Sequence, residues 1–222
     1  MINVIPFIIT ISQGIHFCTE EVVKNEKAIT IATSIKQVIQ TYHGRGFNVQ
    51  NIMGDGQFEK IRKLLDGSGI NLNITGHDEH IQAVERLIHT VKERTRANAN
   101  ELPFETYPHP LIVEMVYNIM FWINSFPHKD GIHNKLSPRT IMTGTHIDHN
   151  KHCKLEFGSY VQVYKQHDNS LLPIKSGTLA LRPTGNAHGA HYFLSLDMGR
   201  RNCPCHTPTR SSMQKIQQNL RM

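Results

Sequence analysis

The sequence predicts an α/β layered domain with a mixed sheet, followed by a small antiparallel β module. Three observations predict this class. The first hundred or so residues alternate β-branched apolar runs with segments of helical periodicity. Residues 111–123 (LIVEMVYNIMFWI) are apolar almost all round, as a core or partner-facing helix would be. Beyond about residue 153 the pattern becomes short alternating segments separated by Gly, Asn and Pro.

The elements follow in order. Residues 4–11 (VIPFIITI) are β-branched and aromatic, hence a strand, and residues 15–18 (IHFC) alternate as its hairpin partner. From Glu26 to Tyr42, apolar residues fall at Ile31, Ile35, Val38, Ile39 and Tyr42, an amphipathic helix that Gly44 or Gly46 ends. Residues 47–53 read as a short strand, with Gly54 and Gly56 around Asp55 as its turn. Residues 58–65 form a short helix, and residues 70–74 alternate as a strand. Asp78 is placed to cap the next helix, whose buried face is Ile81, Val84, Ile88 and Val91. Ser137, Pro138 and Gly144 mark the cap, first position and stop of another short helix. FGSYVQVY, GTLALRP and HYFLSL supply the β module, and residues 203–222, polar and Pro-containing, are expected to be disordered.

Composition bounds the function. The 222 residues are 39% hydrophobic with a mean hydropathy of −0.36, as in a soluble globular protein. No apolar run reaches the roughly 18 residues of a membrane span. The opening MINVIPFIITIS lacks a basic flank and a small-residue cleavage site, so it reads as a buried strand rather than a signal peptide. Four scattered cysteines make no disulfide framework. A reducing compartment, nuclear or cytoplasmic and not secreted, is expected. The net charge is +6, and residues 151–222 hold 10 Lys/Arg against 3 Asp/Glu, which accounts for all of it. A basic C-terminal part suits a polyanion such as nucleic acid; a tail that only aids solubility would have the same composition.

The residues that carry chemistry lie between Met53 and Arg96. Asp55 ends an apolar run, and Glu85 opens a strongly amphipathic helix. Two carboxylates brought together from a strand end and a helix can hold a divalent metal for phosphoryl transfer. Helical spacing puts Glu85, His89, Lys92 and Arg96 on one face, a carboxylate followed by a basic track. Metal at a scissile phosphate with cations on flanking phosphates would use such a face, and an ordinary solvated face would look the same. The histidines of HIDHNKHC (His146, His149, His152) and Cys153 have ligand-like spacing without a second pair. A polar loop is the simpler reading there. Cys203, Cys205 and His206 form a second soft cluster. In the β module, Tyr160, Tyr164, Tyr192 and Phe193 alternate with polar residues near Lys165, Arg182, Arg200 and Arg201, either as its core or as a surface for a DNA backbone.

GDGQFE, GINLNITGHDEHIQAVERLIHTVKER, NSFPHKD, SPRTIMTG and LEFGSYVQVY with ALRPTGNAHGAHYFLSLDMGRR, in that order, resemble the integrase region of copia-type retrotransposon polyproteins. The resemblance runs to about Arg201. It implies a ribonuclease-H-like mixed sheet with flanking helices, followed by a small antiparallel β module. It divides the chain into a catalytic core (1–100), a helical extension (101–150), a basic β module (151–202) and a tail (203–222). It implies an Asp, Asp, Glu triad holding Mg²⁺ or Mn²⁺, in which Asp55 matches the second Asp and Glu85 the Glu. Lys92 matches a DNA-contacting lysine. DNA is the implied partner, with a homo-oligomer as a further expectation.

The chain also departs from that pattern. The family's first Asp lies just before a segment resembling NVIPFIITIS, where this chain starts, so that Asp and its strand are expected to be missing. The zinc-binding module before the family's core is not in the sequence, and the Asp–Glu separation is shorter than usual. With two of three carboxylates, weak or no strand transfer by this chain alone is expected. Glu20, Glu59, Asp78 and Glu79 are other acids that would have to step in. The alternatives are a non-enzymatic nucleic-acid-binding or assembly protein retaining the fold, or an active nuclease of ribonuclease-H type.

Overall fold

The structure, a computed structural model, describes residues 4–67, 69–76, 81–164, 175–197, 199, 201–205 and 209–210. The chain forms two units, each drawn from two stretches of sequence: Met1–Arg94 with Trp122–Thr145, and Thr95–Phe121 with His146–Met222. The sequence divisions at residues 100 and 150 therefore do not coincide with the units. A helix that is apolar all round can serve a core at each of its ends, and no composition shift marks where it passes from one to the other.

In the first unit, β1 (Phe7–Ile11) pairs antiparallel with β2 (Cys18–Val22). The expected partner, residues 15–18, is instead mostly turn: Gly14 and His16 have φ of 71° and 57°, and the Ser12 N–H donates to Phe17 O at 3.0 Å. The CTEEV strand was missed because its two glutamates have low strand preference. Helix α1 (Ala28–His43) carries the expected apolar stripe, and Gly44 caps it with an N–H donated to Gln40 O. Next, β3 (Asn51–Gly54) runs parallel to β4 (Asn71–Ile74). Between them lie a 3-10 helix (Gly56–Ile61) and one turn of α-helix, α2 (Arg62–Leu65), where a single short helix was expected. Ile8 of β1, Ile31, Ile35 and Ile39 of α1, Ile61, Leu65 of α2 and Leu72 of β4 share one buried cluster.

The sheet of this unit differs from the expectation. It is two separate two-stranded sheets, one antiparallel and one parallel, rather than one mixed sheet. Alternation reveals that a strand exists and which face it buries; it carries no information on which neighbour it pairs with. Both pairs nevertheless pack on the same α1 cluster.

Helix α3 (Gln82–Glu101) and helix α4 (His109–Ser125) follow, and each contributes residues to both units. On α3 the buried residues are Leu87, Val91 and Thr95, with Val84 and Ile88 half-buried beside them. The stripe is thus turned slightly from the one expected, because Leu87 and Thr95 were left out of it. At the end of α4, Asn124 accepts the Cys18 N–H at 2.8 Å and donates to Cys18 O at 2.7 Å. Helix α5 (Pro138–Thr143) has the expected ends: Ser137 Oγ accepts the Thr140 N–H at 3.2 Å, and Gly144 stops the helix at φ 70°.

The second unit holds a short helix, α6 (His149–His152), and a five-stranded sheet in the order β8-β7-β6-β5-β9. Its strands are β5 (Tyr160–Tyr164), β6 (Lys175–Pro183), β7 (His191–Ser195), β8 (Arg201–Cys205) and β9 (Thr209–Arg210), and every pairing is antiparallel. Alternation along β6 and β7 sends Leu179, Leu181 and Leu194 to a cluster with Leu102, Leu111 and Met115, and Ala180 and Phe193 to one with Val161 and Val163. Residues 203–205 and 209–210 lie in strands where a disordered tail was expected. Pro204 reads as a breaker, but β8 is an edge strand, where a missing N–H is tolerated. The rest of that tail lies outside the described residues.

Candidate functional site

Asp55 sits immediately beyond the carboxyl end of β3. Gly54 before it is buried, and a Cβ there would lie 3.1 Å from the Phe58 side chain, so a larger residue would need that ring to shift. The Gly54 carbonyl accepts the Thr75 N–H at 2.9 Å, which ties the end of β3 to the residue after β4. Asp55 caps the 3-10 helix through Oδ1, which accepts the Gln57 N–H at 3.0 Å. The side chain is exposed, and the cap holds its orientation.

Glu85 lies in the first turn of α3, and its N–H donates to Ile81 O at 3.1 Å. Glu85, His89 and Arg96 are exposed and Lys92 is half-buried. They occupy the face away from Leu87, Val91 and Thr95, as the spacing predicted. Glu85, His89 and Lys92 belong to the first unit with Asp55, and Arg96 to the second. The helix thus groups the carboxylate and the basic track, while Asp55 comes from a separate element of the first unit. Among the described residues, no three His, Cys, Asp or Glu side chains gather around a point that would hold a metal ion.

The other acids are disposed differently. Both Glu59 oxygens accept from Arg62, at 2.7 and 2.8 Å. That hydrogen-bonded pair holds the Glu59 carboxyl below the usual carboxylate range. Glu59 is therefore committed to Arg62, whose third bond goes to Leu72 O at 3.1 Å. Glu20 is half-buried on β2. Asp78 and Glu79 lie outside the described residues.

Among the described residues, the side chains of the histidine loop are not gathered as a metal-binding group. His152 is buried, with Nδ1 2.8 Å from Asp148 O and Nε2 3.0 Å from Asn186 O. Both ring nitrogens face backbone carbonyls, so neither presents a lone pair to a metal. His191, also buried, faces Gly189 O and His152 O at 3.1 Å each. Burial pushes the His191 ring below its ordinary range, against these backbone hydrogen bonds. The pair fastens α6 to the β6–β7 turn. The side chains of Cys203, Cys205 and His206 are outside the described residues.

A charge cluster in the second unit went unrecognised as a unit in the sequence. Glu114 on α4 is 4% exposed and accepts from Arg182 at 3.1 Å and from Arg201 at 2.7 Å. Both guanidinium groups also stack on Tyr192, at 4.6 and 4.4 Å from the ring centroid. Of the β-module aromatics, Phe193 is fully buried, and Tyr164 is 52% exposed beneath Lys175 at 5.0 Å. A lone Glu in an apolar helix (LIVEMV) was the available signal, since a buried carboxylate demands cationic partners.

No family model matches the chain, and no curated protein matches it. Among solved structures, the chain is similar to the catalytic core domain of BIV integrase, at 21% identity and a TM-score of 0.45. That similarity covers 64% of this chain and 88% of the integrase chain. Among the described residues, no helix is long and apolar enough to cross a membrane.

Proposed function

We propose that the chain is an integrase-derived protein of copia type that binds DNA through a divalent-metal site at Asp55 and Glu85. The observation that carries this reading is positional. Both acids follow the carboxyl ends of adjacent parallel strands, Asp55 directly after β3 and Glu85 in the helix after β4. Sites in α/β sheets are built at the carboxyl ends of parallel strands. The residue-level resemblance to copia-type integrases is the second support. On this reading the first unit is ribonuclease-H-like and the basic β module is an accessory DNA-binding part.

The donor set fits magnesium or manganese. Both candidate ligands are hard carboxylate oxygens on exposed side chains. Mg²⁺ keeps several waters and is usually held by one or two carboxylates plus substrate phosphates, so a closed protein cage is not required. When bound, the ion would polarise a phosphodiester. His89, Lys92 and Arg96 would lie along the flanking phosphates. Two carboxylates bridge two ions poorly, so turnover by this chain is expected to be weak.

The test is a Mn²⁺ titration together with a DNA nicking and strand-transfer assay. Mn²⁺ binding should weaken at least tenfold in Asp55→Asn and in Glu85→Gln. Unchanged binding in both variants would overturn the metal site. Robust turnover abolished by Glu85→Gln would overturn the claim of weak activity. DNA affinity should fall steeply with salt, and losing Lys92 and Arg96 together should flatten that slope.

A further inference from the structure

We propose that residues 127–136 form an acid-released latch on the β1–β2 turn, held shut by the stacked pair His16 and His128. Both parts belong to the first unit. The rings lie 3.9 Å apart and nearly parallel, at 14°. His16 Nε2 is 3.1 Å from Asp130 O, and the Ile132 N–H donates to Gly14 O at 3.0 Å. His16 has a φ of 57°, a conformation uncommon outside Gly and Asn, so its ring is presented to the latch at some backbone cost. Gly131 fits closely: a Cβ there would lie 3.2 Å from His128 O.

The contact requires a neutral His128. Its Nδ1 accepts the Asp130 N–H at 3.1 Å, which a protonated nitrogen cannot do. An imidazolium would also face the His16 ring at stacking distance. The charged groups that act on it are His16 and Asp130. The turn contributes His16, and beyond it the Cys18 thiol, which burial pushes up to about 12 and so keeps protonated. Its own segment carries Lys129, Asp130 and His133. Desolvation of the stacked ring lowers the His128 pKa from its ordinary value, the His16 ring lowers it further, and Asp130 opposes them.

The sign follows. A histidine depressed in the folded state contributes stability above its unfolded pKa, about 6.5, and loses it as pH falls through the folded value. The latch is complete above the unfolded value and opens as pH falls through the lower folded one. The turn it holds also touches β3, through Gln13 Nε2 and Met53 Sδ at 3.8 Å, two positions before Asp55. Opening would loosen the support of that strand end, whether or not Asp55 binds metal.

The experiment is amide exchange of the full chain by NMR, normalised to intrinsic rates, in a pH series from about 7.5 down to about 4.5. Protection of the Ile132 and Asp130 amides should fall roughly fivefold or more in acid, the scale of one lost hydrogen bond. The His128 ring titration, read in the same spectra, should share its midpoint with that loss. In His128→Gln the acid dependence should vanish. Unchanged protection, a midpoint apart from that of His128, or the same acid dependence in His128→Gln would each overturn the latch.

Discussion

Two glutamate–arginine clusters, one in each unit, use the same chemistry in opposite settings. Glu114 is 4% exposed and shared by Arg182 and Arg201, on strands β6 and β8. Glu59 is 56% exposed and forked by Arg62 three residues away. The first cluster joins elements distant in sequence; the second decorates one turn. Burial decides the difference, because a desolvated carboxylate left without its cations is costly, whereas an exposed one returns to water. The contrast extends to the units. The second buries charge and histidine inside satisfied networks. The first keeps the Asp55 and Glu85 side chains exposed, as the proposed metal site requires.

The largest effect is expected from Glu114→Gln. It leaves two guanidinium groups around a neutral, largely buried site, and should cost about 3 kcal/mol. Urea denaturation followed by Tyr192-region NMR signals would report it. A loss well under 1 kcal/mol would mean that the cluster is a surface arrangement like that of Glu59, and the comparison between the units would collapse.

Gly54→Ala comes next. Its Cβ meets the Phe58 ring at 3.1 Å, so overpacking should cost about 1–3 kcal/mol. Because Asp55 is the next residue, the variant should also weaken Mn²⁺ binding more than its stability loss alone would suggest. Equal metal affinity with reduced stability would separate the strand end from the site. Ser137→Ala removes a cap whose Oγ accepts the Thr140 N–H at 3.2 Å and lies 2.9 Å from Thr140 Oγ1, and it should cost about 1 kcal/mol, seen as a lower denaturation midpoint.

These positions also show what a sequence can carry. Ser137, Pro138 and Gly144 were legible because capping chemistry is local: each residue answers a backbone need within one turn. The Glu85, His89, Lys92 and Arg96 face was legible for the same reason, since helical spacing is a local rule. The Glu114 cluster was not, because its partners are distant residues whose meeting depends on the register of β6 and β8. The split of the first unit into two sheets, and the division of α3 and α4 between the units, are likewise properties of tertiary contacts rather than of pattern. Asp55 lies between these cases. Its turn was evident from flanking glycines, but its role as a cap, which commits one oxygen to Gln57, was not.

The smallest effect should come from Glu59→Gln, the exposed counterpart of Glu114. Arg62 would keep its bond to Leu72 O, and both freed groups are open to water. Stability at neutral pH should shift within the error of a denaturation midpoint. A pH series adds a sign. Arg62 holds Glu59 below the usual carboxylate range, so whatever the pair contributes is present above the unfolded carboxylate value, about 4.3, and fades as pH falls through the lower folded value. Wild type and variant should therefore coincide at the acid end of that window, with any small gap confined to higher pH. A gap that widened toward acid would reverse the assignment. A gap at neutrality as large as that of Glu114→Gln would show that separation in sequence and burial do not distinguish the two clusters.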